Sequence, residues 1–208
     1  MSDLTSYPYS DALVHGHHHY LDDEVLDILA RLSWPAGERR VFELGCGNGS
    51  FAKVMSDHGY TVTAIDTSVD GIKLARFGFP GIAFHYGSAY DDLSKKFGKF
   101  NAVVSLEVVE HVFEPRKYAA TLYELLEYGG AAIISTPYHS YIKNLALALS
   151  GKMDAHFTAL WDYGHIKFWS IKTLRILLLE AGFREVRFRR VGRILPLAKS
   201  MIAVARRP

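Results

Sequence analysis

Val41-Phe42-Glu43-Leu44-Gly45-Cys46-Gly47-Asn48-Gly49-Ser50 is the stretch that decides the fold. An apolar β-rich run gives way to three glycines at alternate positions, and a helix-compatible segment, Ser50–His58, follows. Glycine takes left-handed backbone without steric cost, so the spacing predicts a tight strand-to-helix turn whose backbone comes close to a bound molecule. A dinucleotide fingerprint would need its third glycine at position 50, where Ser50 stands; the spacing here is Gly-x-Gly-x-Gly. Asp66, twenty-one residues beyond Gly45, ends the next β-rich run, where a carboxylate can accept hydrogen bonds from both hydroxyls of a ribose.

Outward from this turn, Arg40–Leu44, Thr61–Ile65, Ile82–Tyr86, Ala102–Leu106 and Ala131–Ser135 read as buried strands. Helices over Ser50–His58, Val69–Phe77, Asp91–Phe97 and Pro115–Tyr128 fill the gaps. Strands alternating with helices make parallel βαβ units, so the fold class is α/β with helices on both faces of one sheet. Before it, Leu21 to Leu32 places Leu21, Val25, Ile28, Leu29 and Leu32 on one helical face. After it, Tyr138–Gly164 is too long for an ordinary connection and reads as a lid, with an apolar run at Leu145–Leu149. A helix at Ile171–Ala181 and two strands, Glu185–Val191 and Met201–Ala205, complete the chain. The expected organisation is a single domain over 1–208: an arm and helix at 1–35, a ligand-binding core at 36–137, the lid at 138–164, and a closing helix and strand pair at 165–208.

The 208 residues, 49% hydrophobic and 22% charged, have the balance of one packed core and not of a disordered chain. A net charge of +2 is too mild for a typical nucleic-acid domain, which disfavours that partner without excluding it. The lone Cys46 forms no internal disulfide, no apolar stretch is long enough to span a bilayer, and no signal peptide is visible; a soluble, cytoplasmic protein is the expectation. Oligomeric state is not legible.

The glycine turn resembles the first motif of the class I S-adenosylmethionine-dependent methyltransferases: an acidic residue, Gly-x-Gly-x-Gly, and a second acidic residue after the next strand. The resemblance runs from about Arg40 to the C-terminus and implies a Rossmann-like sandwich around a seven-stranded, mostly parallel sheet with an antiparallel C-terminal hairpin. It implies S-adenosylmethionine as cofactor and S-adenosylhomocysteine as product. Carried over by position, Gly45 and Gly47 lie under the methionine part, Asp66 holds the ribose, Ser88 and Ala89 border the adenine, and Leu106 lies beside that ring. Glu43, Cys46, Thr67 and Glu107 complete the implied cofactor set. Ser88 departs from the pattern, since many relatives carry Asp there.

Strand four ends in Glu107-Val108-Val109-Glu110-His111, which places Glu107, Glu110 and His111 on one face if the turn is helical. This segment resembles ubiquinone-biosynthesis O-methyltransferases and the small-RNA 3′-end 2′-O-methyltransferases, both associated with a divalent metal. The small-RNA enzymes add a histidine from a His-x-Lys-Phe segment, and His165-Ile166-Lys167-Phe168 matches it. Three readings stay open. Glu107, Glu110, His111 and His165 bind Mg²⁺ or Mn²⁺ and so acidify an acceptor hydroxyl. Alternatively His111 or His165 acts as a metal-free general base. In the third, Glu110 and His111 only cap the turn.

The best-supported function from sequence is therefore O-methylation of a small or lipid-like hydroxyl acceptor. RNA 2′-O-methylation and a non-catalytic S-adenosylmethionine-binding partner subunit are the alternatives. His15, His17, His18 and His19 resemble a metal tract but fit a solvated arm or partial tag better, and Tyr7, Tyr9, His19 or Tyr20 would be placed to close the site. Tyr141, Phe157, Trp161 and Trp169 are candidates for pocket lining or for plain core. The tail contains Arg184, Arg187, Arg189, Arg190, Arg193, Lys199, Arg206 and Arg207, a solvated strand face or, with the lid, a peripheral membrane contact.

Overall fold

A computed structural model describes residues 19–35, 37–157, 159–162, 164–193 and 197–208, the side chain of His19 excepted. Seven strands form one sheet: β1 (Arg40–Leu44), β2 (Thr61–Asp66), β3 (Ala83–Tyr86), β4 (Phe100–Leu106), β5 (Leu126–Pro137), β6 (Arg184–Val191) and β7 (Ser200–Arg206). Their order is β3-β2-β1-β4-β5-β7-β6. The first five pair in parallel, and β7 enters antiparallel to both β5 and β6. This is the α/β architecture with an antiparallel end that the sequence predicts.

Side-chain alternation builds the layers, because neighbours along a strand point to opposite faces. On β1, Val41 faces one apolar cluster and Phe42 the other; on β5, Ile133 opposes Ala132 and Ile134. The face of Val41 and Ile133 is covered by α1 (His19–Ala30), α2 (Ser50–Asp57) and α3 (Val69–Gly78). The other is covered by α4 (Leu93–Phe97), α5 (Pro115–Glu124) and α8 (Ile171–Glu180). Local chemistry sets the helix ends: Ser68 accepts from the Gly71 N–H at the start of α3, and Ser170 with Thr173 forms a capping box on α8.

The chain leaves β1 toward β2 and β3, then crosses back to lay β4 on the other side of β1. Such a reversal opens a crevice at the strand C-termini, where open α/β sheets take their ligands. Both the glycine turn after β1 and the Glu107 turn after β4 border it.

One element differs from its sequence reading. The helix expected over Pro115–Tyr128 stops at Glu124, and β5 begins at Leu126, paired with Phe100. Leu122, Leu125 and Leu126 are all buried, so their spacing does not separate a last helical turn from a first strand residue. The region after β5 holds α6 (Tyr141–Leu149) and α7 (Met153–Phe157), neither of which buries a residue.

Candidate active site

The glycine turn is built on left-handed backbone: φ is +86° at Gly45, +54° at Gly47 and +79° at Gly49. Gly45 and Cys46 N–H both donate to the Ile65 carbonyl at 2.9 Å, folding the turn back over the end of β2. A Cβ on Gly45 would strike Val108, and one on Gly49 would lie 2.6 Å from Phe84 and 2.8 Å from Ala75. Packing therefore accounts for these two glycines, where the sequence alone pointed to a ligand.

Asp66 closes the turn. Gly47 N–H donates to Asp66 Oδ2 at 2.8 Å, and Ser68 N–H donates to Oδ1 at 2.7 Å. Burial nonetheless outweighs these bonds and raises the carboxyl's pKa. Beside it Glu43 is fully buried, with Oε2 lacking any hydrogen-bond partner. Burial, then the charges of Asp66 and Asp22, push the Glu43 carboxyl up to about 8. A buried carboxylate with one oxygen unpartnered, in such company, suits a cationic ligand. Cys46 is buried, its thiol raised well above the ordinary value by burial. At the end of β3, Ser88 N–H donates to Asp91 at 2.8 Å while Ser88 Oγ accepts from Tyr90 N–H at 3.2 Å. Thr121 Oγ1 donates to the Ala89 carbonyl at 2.8 Å, fixing the neighbouring backbone.

The Glu107 turn is not helical. Glu107 is left-handed at φ +54°, and His111 N–H closes a short turn onto the Val108 carbonyl at 2.9 Å. Glu107 consequently parts from the other two. Glu110, His111 and His165 each offer a ligand atom within 4.8 Å of the others, and Glu107 lies outside that group. Three of the four residues expected to hold a cation thus converge among the described residues, and Glu107, whose place with them assumed a helical face, is not grouped with them.

His165 reaches the turn through backbone bonds: Ile166 and Lys167 N–H both donate to the Glu110 carbonyl at 3.0 Å. Trp169 Nε1 adds a bond of 3.0 Å to the Val109 carbonyl and is buried, so it is core and not pocket. His111 Nδ1 lies 3.2 Å from the Gly164 carbonyl oxygen, which only accepts, so Nδ1 is the donor in that contact. Glu110 is 1% exposed, and neither carboxylate oxygen has a hydrogen-bond partner. His165 Nε2 stands 3.9 Å from Oε1, too far for a hydrogen bond. Burial, then the Glu107 charge, raises Glu110 well above the carboxylate range. Burial, then His111 and His156, lowers His165 to about 4.

Trp161 meets His111 and His165 edge-on, with centroids 6.5 and 5.5 Å away, and so walls the cluster. Phe157 joins a separate group with His139 and Phe168, and Tyr141 is exposed. Sequence reasoning missed Ser135, whose hydroxyl donates to Glu107 Oε1 at 2.7 Å; a buried hydroxyl in a β run was the available signal. The basic tail does not form one face: Arg189 pairs with Glu24 and Asp27 of α1, and Arg207 is buried against Tyr123. Tyr7, Tyr9, His15, His17 and His18 lie outside the described residues, as does the His19 side chain.

The family model described as a methyltransferase domain matches residues 17–187. The chain belongs to that family. Among curated relatives of this methyltransferase domain, the ubiquinone biosynthesis O-methyltransferase of Caulobacter sp. strain K31 is 36% identical over 126 residues, 59% of this chain and 48% of that protein. The Caulobacter vibrioides protein of the same name is 33% identical over 143 residues, 64% of this chain and 55% of its own. The domain thus spans about half the length of these relatives. Its fold matches the PH0226 protein of Pyrococcus horikoshii OT3, with a TM-score of 0.71 at 18% identity over 99% of this chain and 94% of that one. A SAM-dependent methyltransferase of Archaeoglobus fulgidus gives 0.64 at 16% identity, over 89% and 92%. No helix among the described residues is long and apolar enough to cross a membrane.

Proposed function

We propose that this domain transfers a methyl group from S-adenosylmethionine to a hydroxyl of a small or lipid-like acceptor, with a divalent ion such as Mg²⁺ or Mn²⁺ at Glu110, His111 and His165. The observation that carries this reading is the convergence of those three side chains at the same sheet end as the glycine turn. Gly45, Cys46 and Gly47 with Glu43 would hold the methionine part, Asp66 and Thr67 the ribose, and Ser88, Ala89 and Leu106 the adenine. The unpartnered Glu43 oxygen fits a cationic cofactor. Bound cofactor supplies a methyl group on a positively charged sulfur.

A divalent ion also fits, because the Glu110 carboxylate is buried with both oxygens unpartnered beside two imidazoles. Such an ion would lower the pKa of an acceptor hydroxyl. The chain's own part is to position that hydroxyl and keep water out: Gly164 orients His111, and Trp161 closes one side. Exposed Tyr141, Ile142, Leu145 and Leu149 on α6 suit a lipid-like acceptor. The names of the Caulobacter relatives point the same way.

The test is transfer of labelled methyl from S-adenosylmethionine to simple and prenylated dihydroxybenzoates, with and without a chelator. Labelled ether that disappears on chelation and returns with Mn²⁺ is the expected result. Transfer that ignores chelators would leave His111 or His165 as a metal-free base, and transfer only to nitrogen or carbon would overturn the hydroxyl reading.

A further inference from the structure

A second group of basic side chains stands outside the cation cluster, beside the two helices that follow β5. His139, two residues beyond that strand, is held by its own N–H, which donates to the Trp169 carbonyl at 3.3 Å. The ring of His156, on α7, meets it edge-on with centroids 5.5 Å apart. From α6, Lys143 Nζ donates to the Tyr138 carbonyl at 3.0 Å, which brings the ammonium beside the backbone of His139. Three segments thus converge on one spot.

Among the described residues no carboxylate pairs with Lys143 or with either ring. Burial, then the Arg193 charge, lowers the Lys143 pKa. Burial, then the Lys143 charge, lowers both imidazoles, His139 to about 4, so both rings are uncharged near neutral pH. His139 is 8% exposed, and its Nδ1 has no hydrogen-bond partner. Asn144 Oδ1 of α6, also buried and unpartnered, favours the protonated ring. Phe157 stacks on His139 with planes inclined at 17°, and Phe168 packs edge-on against both, so water is excluded on that side. An unpaired nitrogen in such surroundings is unfavourable until a ligand or a proton reaches it. Phe168 and His165 share one segment, and three residues of chain span at most about 11 Å, which puts both clusters within reach of one acceptor.

We propose that Lys143, with His139 and His156, holds a carboxylate carried by the acceptor, which makes the substrate a hydroxylated acid. This rests on the hydroxyl-acceptor reading above. One ammonium and two uncharged imidazoles, each still offering an N–H, match a single negative charge. A metal ion is disfavoured beside the Lys143 ammonium, and a dianionic phosphate would exceed the charge available.

Calorimetry on the full chain saturated with S-adenosylhomocysteine tests it, with a dihydroxybenzoate and the corresponding neutral amide as paired ligands. Wild type should bind the acid about tenfold or more tighter than the amide. Lys143→Met should abolish that preference, Lys143→Arg should keep it, and His156→Phe should cut it by about threefold or more. The ratio is read within each variant, so a loosened fold, which weakens both ligands alike, does not imitate the result. Equal affinities in wild type, or a preference that survives Lys143→Met, overturn the proposal. If neither compound binds, the hydroxyl-acceptor reading falls, and the subsite is judged by nuclear magnetic resonance of imidazole ¹⁵N during titration with benzoate. The His139 and His156 resonances must then move in wild type and stay in Lys143→Met. Resonances unmoved in wild type, or a stronger response to inorganic phosphate than to benzoate, overturn it.

Discussion

The rings of His111 and His165, from segments fifty-four residues apart, lie 5.0 Å apart with their planes inclined at 69°. Their meeting depends on the backbone bonds that stitch Ile166, Lys167 and Trp169 to the Glu107 turn. Trp169→Phe keeps most of the buried ring but leaves the Val109 carbonyl without its donor. The expected cost is about 1–3 kcal/mol in denaturant unfolding, with weaker Mn²⁺ binding. A loss below about 0.5 kcal/mol would remove Trp169 from that role.

Three glycines of similar backbone should respond differently to alanine. At Gly37, φ is +88° and a Cβ would meet nothing within 4 Å, so the cost is the left-handed strain of about 1–2 kcal/mol. Gly45 and Gly49 add steric overlap with Val108, Phe84 and Ala75. Alanine at either should lower the melting temperature further and abolish S-adenosylhomocysteine binding. Equal effects at all three sites would show that packing does not decide.

Stability should fall as pH rises. The Glu43 carboxyl is held near 8 in the folded chain against about 4.5 when unfolded. Between those values unfolding releases its proton, so raising the pH favours the unfolded state by up to about 1.4 kcal/mol per pH unit, levelling off above 8. Glu107, raised to about 7, acts in the same direction. A cationic cofactor reverses the preference, so affinity for S-adenosylmethionine should increase from pH 6 to 8. Glu43→Gln should flatten both trends; slopes that match wild type would place the titration elsewhere.

Leu149 and Leu160 are 81% and 99% exposed. Serine at either should change stability by no more than about 0.5 kcal/mol, while lowering transfer to a prenylated acceptor more than to its short-chain analogue. Equal loss on both acceptors would detach these residues from acceptor choice.

The sheet was legible because its strands are buried on both faces and therefore read as continuous apolar runs, from Val41-Phe42 to Ile133-Ile134. The glycine turn and Asp66 were legible because left-handed backbone and a strand-end carboxylate leave marks in sequence. That Glu110, His111 and His165 group without Glu107 was not legible, because one residue's φ, invisible in the letters, turned an expected helical face into a short turn. The Glu43 cluster was only half visible, since Asp22 joins it from a helix packed across the sheet. Ser200 and Tyr20 meet through helix docking, which no local spacing encodes.

The central claim is that the crevice between the glycine turn and Asp66 takes S-adenosylmethionine. Calorimetric titration with S-adenosylhomocysteine and with NAD tests it most directly, in wild type and in Asp66→Ala. The account predicts one-to-one binding of S-adenosylhomocysteine, weakened by about 1–3 kcal/mol in the variant, and no heat from NAD. Binding of NAD without S-adenosylhomocysteine, or S-adenosylhomocysteine affinity that Asp66→Ala leaves unchanged, would contradict it.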